Sequence, residues 1–275
     1  MLKPGPIGVF DSGYGGLTIL SEIQKLLPQY DFCYLGDNSR APYGPRSFEI
    51  VYQFTKQSVE TLFDLGCNLV ILACNTASAK ALRSIQQLDL PTINPNKRVL
   101  GVIRPTAEIV GNITKSRHVG IVGTVGTIQS GSYPIEIKKL HPDIQVTGEA
   151  CPMWVPLVEN KKFDSQGADF FINESLNSLF EKDPLIDTLI LGCTHYPLLL
   201  DKIRQYIPNH VKIISQGEYV AQSLKDYLER HVEMDSVCTK NGQTKYYTTE
   251  NPDKFSDTAA VFLNKEIIVE RIEME

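Results

Sequence analysis

Two cysteine residues stand at equivalent points of two similar apolar stretches, where a thiol could do chemistry. Cys74 follows the run Leu69-Val-Ile-Leu-Ala73, and Cys193 follows Leu189-Ile-Leu-Gly192, 119 residues further along the chain. Polar side chains come directly after each thiol, as expected at a strand-to-helix turn. The positive end of a helix dipole lowers the pKa of a thiol from about 8.5. The sequence therefore predicts two cysteines that could exchange protons, with a small buried hydrophobe as the competing interpretation.

Two other residues could assist these thiols. His195 lies two positions after Cys193, which favours a role as its partner over the commoner structural role of a histidine. Zinc is a rival explanation of Cys-x-His, but closed zinc sites need four ligands, and the sequence offers no second pair. We therefore predict no metal. Glu159 follows an apolar run, so it is either a buried acid with a raised pKa or a solvated helix start.

Polar and glycine-rich turns follow the first two predicted strands. Asp11-Ser-Gly-Tyr-Gly-Gly16 offers backbone N–H groups to an anion, but it matches neither the Walker loop nor G-x-G-x-x-G. It suits a small carboxylate or an amino acid, or it is a tight turn with Asp11 as the helix N-cap. The loop at 36–45 contains Asp37 and Tyr43, which are unusual side chains for a loop that only connects two elements.

The elements that must position these residues alternate between strands and helices along almost the whole chain. Short apolar runs are followed by segments with helical periodicity, which predicts a parallel, doubly wound α/β sheet. In such sheets ligands bind beyond the carboxyl ends of the strands.

An internal repeat predicts two lobes. Ile7-Gly-Val-Phe-Asp-Ser12 aligns with Val119-Gly-Ile-Val-Gly-Thr124 at an offset of 112, close to the offset of 119 between the two cysteines. A duplicated α/β unit would bring the strand ends of both lobes to one cleft, the usual place for a small ligand. The loop at 89–98 is a candidate crossing between the lobes.

Composition limits the function classes. The 275 residues are 42% hydrophobic and 21% charged, which is typical of a globular protein, and the net charge of −5 gives no sign of nucleic-acid binding. Six cysteines without a Cys-x-x-Cys pair argue against a disulfide framework or a zinc ribbon and for a reducing compartment. The N-terminus does not resemble a signal peptide, and no apolar run approaches membrane-spanning length. We expect a cytoplasmic protein.

With these residues identified, the chain resembles the glutamate racemases of the cofactor-independent aspartate/glutamate racemase superfamily. The resemblance spans most of the chain and rests on five motifs in the family's order. They are Asp11-Ser-Gly-Tyr-Gly-Gly-Leu-Thr18, Gly36-Asp37 with Pro42-Tyr-Gly44, Ala73-Cys-Asn-Thr-Ala77, Cys151-Pro-Met-Trp-Val-Pro-Leu-Val-Glu159 and Gly192-Cys-Thr-His-Tyr-Pro197.

The resemblance implies a fold and an activity. It implies two similar doubly wound parallel-sheet lobes related by pseudo-twofold symmetry, with the active site in the cleft between them. Residues 1–97 plus 215–275 would form the first lobe, and 98–214 the second. The implied enzyme is a cytoplasmic homodimer that interconverts L- and D-glutamate, without a membrane or nucleic-acid partner, and supplies the D-isomer for peptidoglycan.

The resemblance also implies roles for individual residues. Cys74 and Cys193 would be the two acid/bases, the first taking the proton from D-glutamate and the second from L-glutamate. Asp11 and His195 would assist them, with Asp37 and Glu159 as further acidic groups. The implied substrate-binding residues are Asp11, Ser12, Tyr43, Gly44, Asn75, Thr76, Thr194 and His195. The motifs contain no lysine for a Schiff base, so we expect no cofactor.

Three other functions stay open at this stage. The same mechanism could act on another acidic amino acid, chiefly aspartate. A regulatory binding protein could keep the fold, since some glutamate racemases are reported to inhibit DNA gyrase. A thiol-dependent hydrolase would need one nucleophile and an oxyanion hole, but it leaves the second cysteine strand unexplained.

Overall fold

The computed structural model describes residues 2–274, and its strands form two sheets in which every pairing is parallel. The ten strands of this part of the chain are β1 (Ile7–Asp11), β2 (Phe32–Gly36), β3 (Leu69–Leu72), β4 (Arg98–Gly101), β5 (His118–Gly123), β6 (Gln145–Ala150), β7 (Thr188–Gly192), β8 (Lys212–Ile214), β9 (Thr244–Thr248) and β10 (Val269–Arg271).

Helices connect the strands, as the alternating sequence pattern predicts. The α-helical segments are Gly16–Leu26, Phe48–Asp64, Asn75–Lys80, Leu82–Ser84, Leu90–Ile93, Ile103–Ile113, Val125–Gln129, Ser132–Leu140, Trp154–Glu159, Gln166–Lys182, Leu200–Tyr206, Gly217–Arg230, Val232–Asp235 and Pro252–Leu263. A π-helical turn spans Ile85–Asp89, and a 3₁₀ turn spans Tyr196–Leu199. Ser47 and Ser165 cap the two longest helices by accepting a backbone N–H in the first turn.

The two sheets repeat one strand order. The first sheet runs β10-β9-β2-β1-β3-β4, and the second runs β6-β5-β7-β8. The orders 2-1-3-4 and 6-5-7-8 correspond strand by strand, with β1 equivalent to β5 and β3 to β7. Two parallel-sheet lobes confirm the predicted α/β fold class. The strands that precede Cys74 and Cys193 hold the same place in their sheets.

One strand lies in a different sheet from the one that the sequence suggested. The predicted boundary put residues from 98 onward in the second lobe, but β4 pairs with β3, Arg98 opposite Leu69. An apolar run does not reveal its partner strand, because pairing is decided by tertiary packing. We therefore propose that the first lobe ends at Gly101 rather than at residue 97. The late strands β9 and β10 extend this sheet beside β2.

Burial explains why the central strands are uninterrupted apolar runs. Every residue of β1, β2, β3 and β7 is buried. Helices cover both faces of a parallel sheet, so its strands lack the alternation of a half-exposed sheet. The helix Gly16–Leu26 packs its apolar face against the helix Gly217–Arg230, which follows the last strand of the second sheet. Among residues 2–274, no helix combines the length and the apolar character needed to cross a membrane.

Candidate active site

A cavity of about 330 Å³ lies where the loops after β1, β2, β3, β5, β6 and β7 meet. It is lined by Ser12, Gly13, Ala41, Pro42, Tyr43, Gly44, Pro45, Cys74, Asn75, Thr76, Thr124, Val125, Cys151, Pro152, Val155, Pro156, Glu159, Cys193, Thr194 and His195. A larger groove of about 650 Å³ runs along helices elsewhere, and neither Cys74 nor Cys193 lines it. The smaller cavity is the candidate site because it is lined by the side chains that could take part in a reaction.

The two cysteines enter this cavity from different sheets. Cys74 follows β3, and Cys193 follows β7; each is 6% exposed. Cys74 is the N-cap of the helix Asn75–Lys80, where its Sγ accepts the backbone N–H of Ala77 at 3.5 Å. Its Sγ also lies 3.4 Å from Oγ of Ser12. A ligand in the cavity would therefore meet one thiol from each lobe.

The Cys74 thiol is held in its neutral form. Burial raises its pKa to about 12, with a further contribution from the charge of Asp11, although Ser12 and the N–H of Ala77 act in the opposite direction. The sequence-based prediction of a lowered pKa is therefore wrong for this cysteine. The helix N-terminus does contact the sulfur. However, burial destabilises the thiolate by more than one hydrogen bond from an N–H group stabilises it.

Cys193 has a positively charged neighbour instead. Its Sγ lies 3.9 Å from Nδ1 of His195, and Nε2 of His195 lies 3.0 Å from Oε1 of Glu159. Burial alone would lower the pKa of His195, but its hydrogen bonds to Cys193 and Glu159 raise that pKa to about 10. The histidine is therefore protonated at neutral pH, so the two thiols have different electrostatic surroundings.

Asp11 lies behind the cavity rather than in its lining. Its Oδ2 accepts the N–H of Gly13 at 2.9 Å, and the backbone of Gly16 also hydrogen-bonds to it. Burial raises its pKa, while the charge of His195 lowers it. The N–H groups of the glycine-rich turn therefore hold the carboxyl group of their own aspartate. The interpretation as a tight turn therefore describes this segment better than that of a cradle for an anion. The predicted N-cap is wrong, however, because the helix Gly16–Leu26 has Gly15 rather than Asp11 at that position.

Asp37 is also one layer removed from the cavity. It accepts hydrogen bonds from the hydroxyl of Tyr43, from Nε of Arg40 at 2.6 Å and from Oγ1 of Thr249 at 2.9 Å. Its side chain is fully buried. Since Tyr43 lines the cavity, Asp37 can act on a ligand by fixing the position of that tyrosine.

Ten of the twelve predicted site residues line the cavity, Asp11 and Asp37 being the exceptions. Sequence reasoning missed Thr124, whose Oγ1 lies 2.9 Å from Oγ1 of Thr76 across the two lobes. A signal was present, because the internal repeat aligns Thr124 with Ser12. Cys151, the first residue of one of the family motifs, also lines the cavity, and burial raises its pKa to about 12.

Comparisons with known proteins identify the family of this chain. The family model described as Asp/Glu/Hydantoin racemase matches residues 15–224. The chain belongs to this racemase family. A glutamate racemase of Ruegeria sp. (strain TM1040) is 41% identical to this racemase over 274 residues, covering 96% of this chain and 98% of that protein. The resemblance to the glutamate racemases is thus confirmed.

Solved structures extend the likeness to three dimensions. A glutamate racemase isoform from Bacillus anthracis has a TM-score of 0.88 at 38% identity, covering 98% of this racemase and 97% of that chain. The glutamate racemase of Francisella tularensis, solved with D-glutamate, has a TM-score of 0.87 at 32% identity, covering 99% and 98%. Among residues 2–274, no cluster of three or more His, Cys, Asp or Glu side chains could hold a metal ion.

Gly15 allows the first lobe of this racemase to approach the second. A Cβ at this position would lie 2.1 Å from Oγ1 of Thr194 and 2.5 Å from Nδ1 of His195. We expect Gly15→Ala to lower kcat/KM for racemisation by about 10²-fold, because displacing catalytic groups by 1 Å has effects of that order. Gly167→Ala is the matched control, since its Cβ would meet only Oγ of Ser165, at 3.6 Å. Equal activities of the two variants would contradict the expectation.

Glu159 should set the alkaline limit of racemisation. Its hydrogen bond and charge help to raise the pKa of His195 to about 10, so the imidazolium persists up to that pH. In Glu159→Gln the pKa of His195 should fall, and the alkaline limb of kcat/KM against pH should move to lower pH. Glu149→Gln is the control, because Glu149 pairs with Lys182 away from the cavity. An alkaline limb that stays in place in Glu159→Gln would contradict the assignment.

Proposed function

We propose that this racemase interconverts L- and D-glutamate without a cofactor, and that Cys74 and Cys193 exchange the α-proton. The observation that carries the proposal is that two thiols from two equivalent strands line one cavity. The substrate follows from the relatives: the proteins about 40% identical over nearly the whole chain are named glutamate racemases. The Francisella tularensis neighbour was solved with D-glutamate.

Racemisation needs two groups because the proton leaves one face of the α-carbon and arrives on the other. With a single base, the same proton would tend to return to the same face. Thiols contributed by two lobes can lie on opposite faces of one bound amino acid. In each direction one cysteine must begin as a thiolate and the other as a thiol, so their titrations are coupled.

The surroundings of the thiols suggest which form the free enzyme takes. Cys74, with its pKa raised to about 12, begins as the thiol. Cys193, beside the protonated His195, would take the α-proton from L-glutamate as the C–H bond breaks and an S–H bond forms. The S–H bond of Cys74 then breaks, and its proton forms the new C–H bond on the opposite face, which gives D-glutamate. The reverse direction requires the opposite protonation of the two thiols.

The intermediate is a carbanion, which must be stabilised by the protein alone. Its electron pair spreads into the adjacent carboxylate, so donors at that carboxylate become more effective as the proton leaves. Asn75, Thr76 and Thr194 line the cavity and can supply such donors. Thr124, hydrogen-bonded to Thr76, places a further hydroxyl group from the second lobe at the same wall.

We further propose the cellular setting that goes with this activity. The enzyme would act in the cytoplasm as a homodimer and provide D-glutamate for peptidoglycan biosynthesis. This part of the proposal rests on membership of the family and on the relatives' names.

The proposal is tested by incubating the protein with L-glutamate in D2O without any added cofactor. We expect optical rotation to fall to zero while deuterium replaces the α-proton, because each turnover returns a solvent-derived proton. L-aspartate in a parallel incubation decides between the two acidic substrates. Racemisation of aspartate alone would reject glutamate as the substrate. Inactivity towards both would reject the proposed function.

A further inference from the structure

Three buried side chains form a closed ring of hydrogen bonds beside the cavity. Nδ2 of Asn75 donates to Oε1 of Gln216 at 2.7 Å, and Nε2 of Gln216 donates to the hydroxyl of Tyr133 at 2.5 Å. That hydroxyl donates to Oδ1 of Asn75 at 2.6 Å, which closes the ring. Exposures are 2% for Asn75, 1% for Tyr133 and 3% for Gln216, so water does not compete with these bonds. Only Asn75 lines the cavity.

The ring could run in either direction if both amide groups turned over, because an amide has a donor end and an acceptor end of the same shape. Its surroundings decide the direction. Nε2 of Gln216 also faces the carbonyl oxygen of Val102 at 3.3 Å and Oγ1 of Thr106 at 3.0 Å. A carbonyl oxygen can only accept, and the hydroxyl of Thr106 itself donates to that same oxygen at 3.3 Å. The nitrogen of Gln216 must therefore face Val102, and its oxygen must face Asn75.

This direction fixes what Asn75 offers to the cavity. Its nitrogen must point to the oxygen of Gln216, and its oxygen is occupied by the hydroxyl of Tyr133. One hydrogen of Nδ2 is used in the ring, which leaves the second for a ligand. Burial raises the pKa of Tyr133, so this hydroxyl keeps its proton and remains a donor at any ordinary pH. The ring therefore holds Asn75, a residue of the cavity wall, with one amide hydrogen that the ring does not use.

The ring also lies close to the two segments in which the chain crosses between the sheets. Val102 directly follows β4, where the chain leaves the first sheet for the second. Gln216 lies between β8 and the helix Gly217–Arg230, where the chain returns to the first sheet. Tyr133 belongs to the helix Ser132–Leu140, which packs on the outward helix Ile103–Ile113. A change in the relative position of the lobes would thus alter the partners of Asn75 directly.

We propose that Gln216 and Tyr133 are positioning residues of the racemase reaction, which fix the amide of Asn75 as a donor to the substrate carboxylate. The inference rests on the proposed function, because it assigns the ligand of Asn75 to a carboxylate. Gln216 lies 141 residues from Asn75 in the sequence and in none of the motifs that carry the family resemblance. Its role is visible only from the contacts.

The test compares Gln216→Met, Tyr133→Phe and the double variant with the wild type. Both single changes keep the approximate shape but break the ring. Gln216→Met removes the acceptor of Nδ2 of Asn75, so the amide can turn over, whereas Tyr133→Phe removes the donor to Oδ1, so the amide is held at one end only. We expect KM for L-glutamate to rise roughly tenfold in each single variant, because the carboxylate is already charged in the bound substrate. We expect kcat to fall as well, because that carboxylate gains further charge as the proton leaves. The double variant should lose no more than the worse single variant, since both changes break one ring.

Matched controls separate positioning from general destabilisation. Gln222→Met changes an exposed glutamine of the helix that directly follows Gln216. Tyr206→Phe removes a hydroxyl that donates to Asp169 away from the cavity. Both controls should keep the wild-type KM. Thermal unfolding of every variant is measured alongside the kinetics.

Three results would overturn the inference. One is a KM within twofold of wild type in both ring variants, whatever their melting temperatures. The second is a pair of effects that multiply in the double variant. The third is a wild-type protein that is inactive with glutamate, which would reject both the proposed function and the role of the ring. The wild-type assay distinguishes this outcome from the first two, in which the wild type is active.

Discussion

Replacing either Cys74 or Cys193 by serine is expected to lower the rate of glutamate racemisation by at least about 10³-fold. In the proposed mechanism each thiol supplies or removes the α-proton on its own face, and a positioned acid or base contributes about 10²–10⁴-fold. A serine hydroxyl is a far weaker acid and cannot replace it. Binding of D-glutamate should stay close to wild type, because neither sulfur is needed to hold the carboxylates.

Isotope exchange in D2O should then separate the two faces. With Cys193→Ser, only Cys74 remains to remove a proton, so slow α-proton exchange should survive for D-glutamate and vanish for L-glutamate. Cys74→Ser should give the mirror result. In Cys193→Ser the residual exchange should also rise with pH through the neutral range, because the pKa of Cys74 lies near 12 and little thiolate is present at pH 7.

Cys238→Ser provides the matched control for both variants. Its thiol is buried and donates to the backbone oxygen of Met234 at 3.3 Å, outside the cavity, and serine can make the same hydrogen bond. It should racemise glutamate at nearly the wild-type rate. If both active-site variants lost exchange equally with both isomers, the assignment of one cysteine to each face would be rejected.

The second large effect is expected for His195→Asn, with a fall in kcat of about 10²-fold. The variant removes the positive charge next to Cys193 but leaves the Cys74 side unchanged. The loss should therefore be one-sided. Exchange of the α-proton of L-glutamate should slow much more than exchange of the α-proton of D-glutamate.

His118→Asn is the control for this prediction, because His118 also pairs with a carboxylate at a similar distance. Nδ1 of His118 lies 2.8 Å from Asp183, in the second lobe and outside the cavity. This substitution should leave both exchange rates unchanged. Equal slowing of the two exchange reactions in His195→Asn would show that His195 does not act through Cys193.

Much of the fold could be predicted because its signals are local. An apolar run of four or five residues followed by polar residues marks a buried parallel strand and its carboxyl end, and this pattern needs no knowledge of partners. It predicted β3 and β7. Cys74 comes one residue after the end of β3, with Ala73 between them, and Cys193 follows β7 directly. The repeat predicted two similar lobes, and the structure shows two equivalent strand orders.

The lobe that contains β4 could not be predicted, because the signal that decides it is not local. The run beginning at Val99 reads as a strand in either lobe, and only pairing with β3 decides its sheet. The pairing depends on residues that are distant in sequence, so no local pattern carries it. The residues next to Thr124 likewise do not indicate that it lines the cavity. Only its alignment with Ser12 in the internal repeat does.

The sequence by itself determined the chemical groups and the strand ends that carry them. Residue types and their period along the chain are local properties. The tertiary structure decided how those groups behave. Burial and the charge of Asp11 raise the pKa of Cys74 against the effect of its helix N-terminus, while Glu159 and Cys193 keep His195 charged. These effects depend on solvent exclusion and on contacts between distant segments, which exist only once the two lobes have packed together.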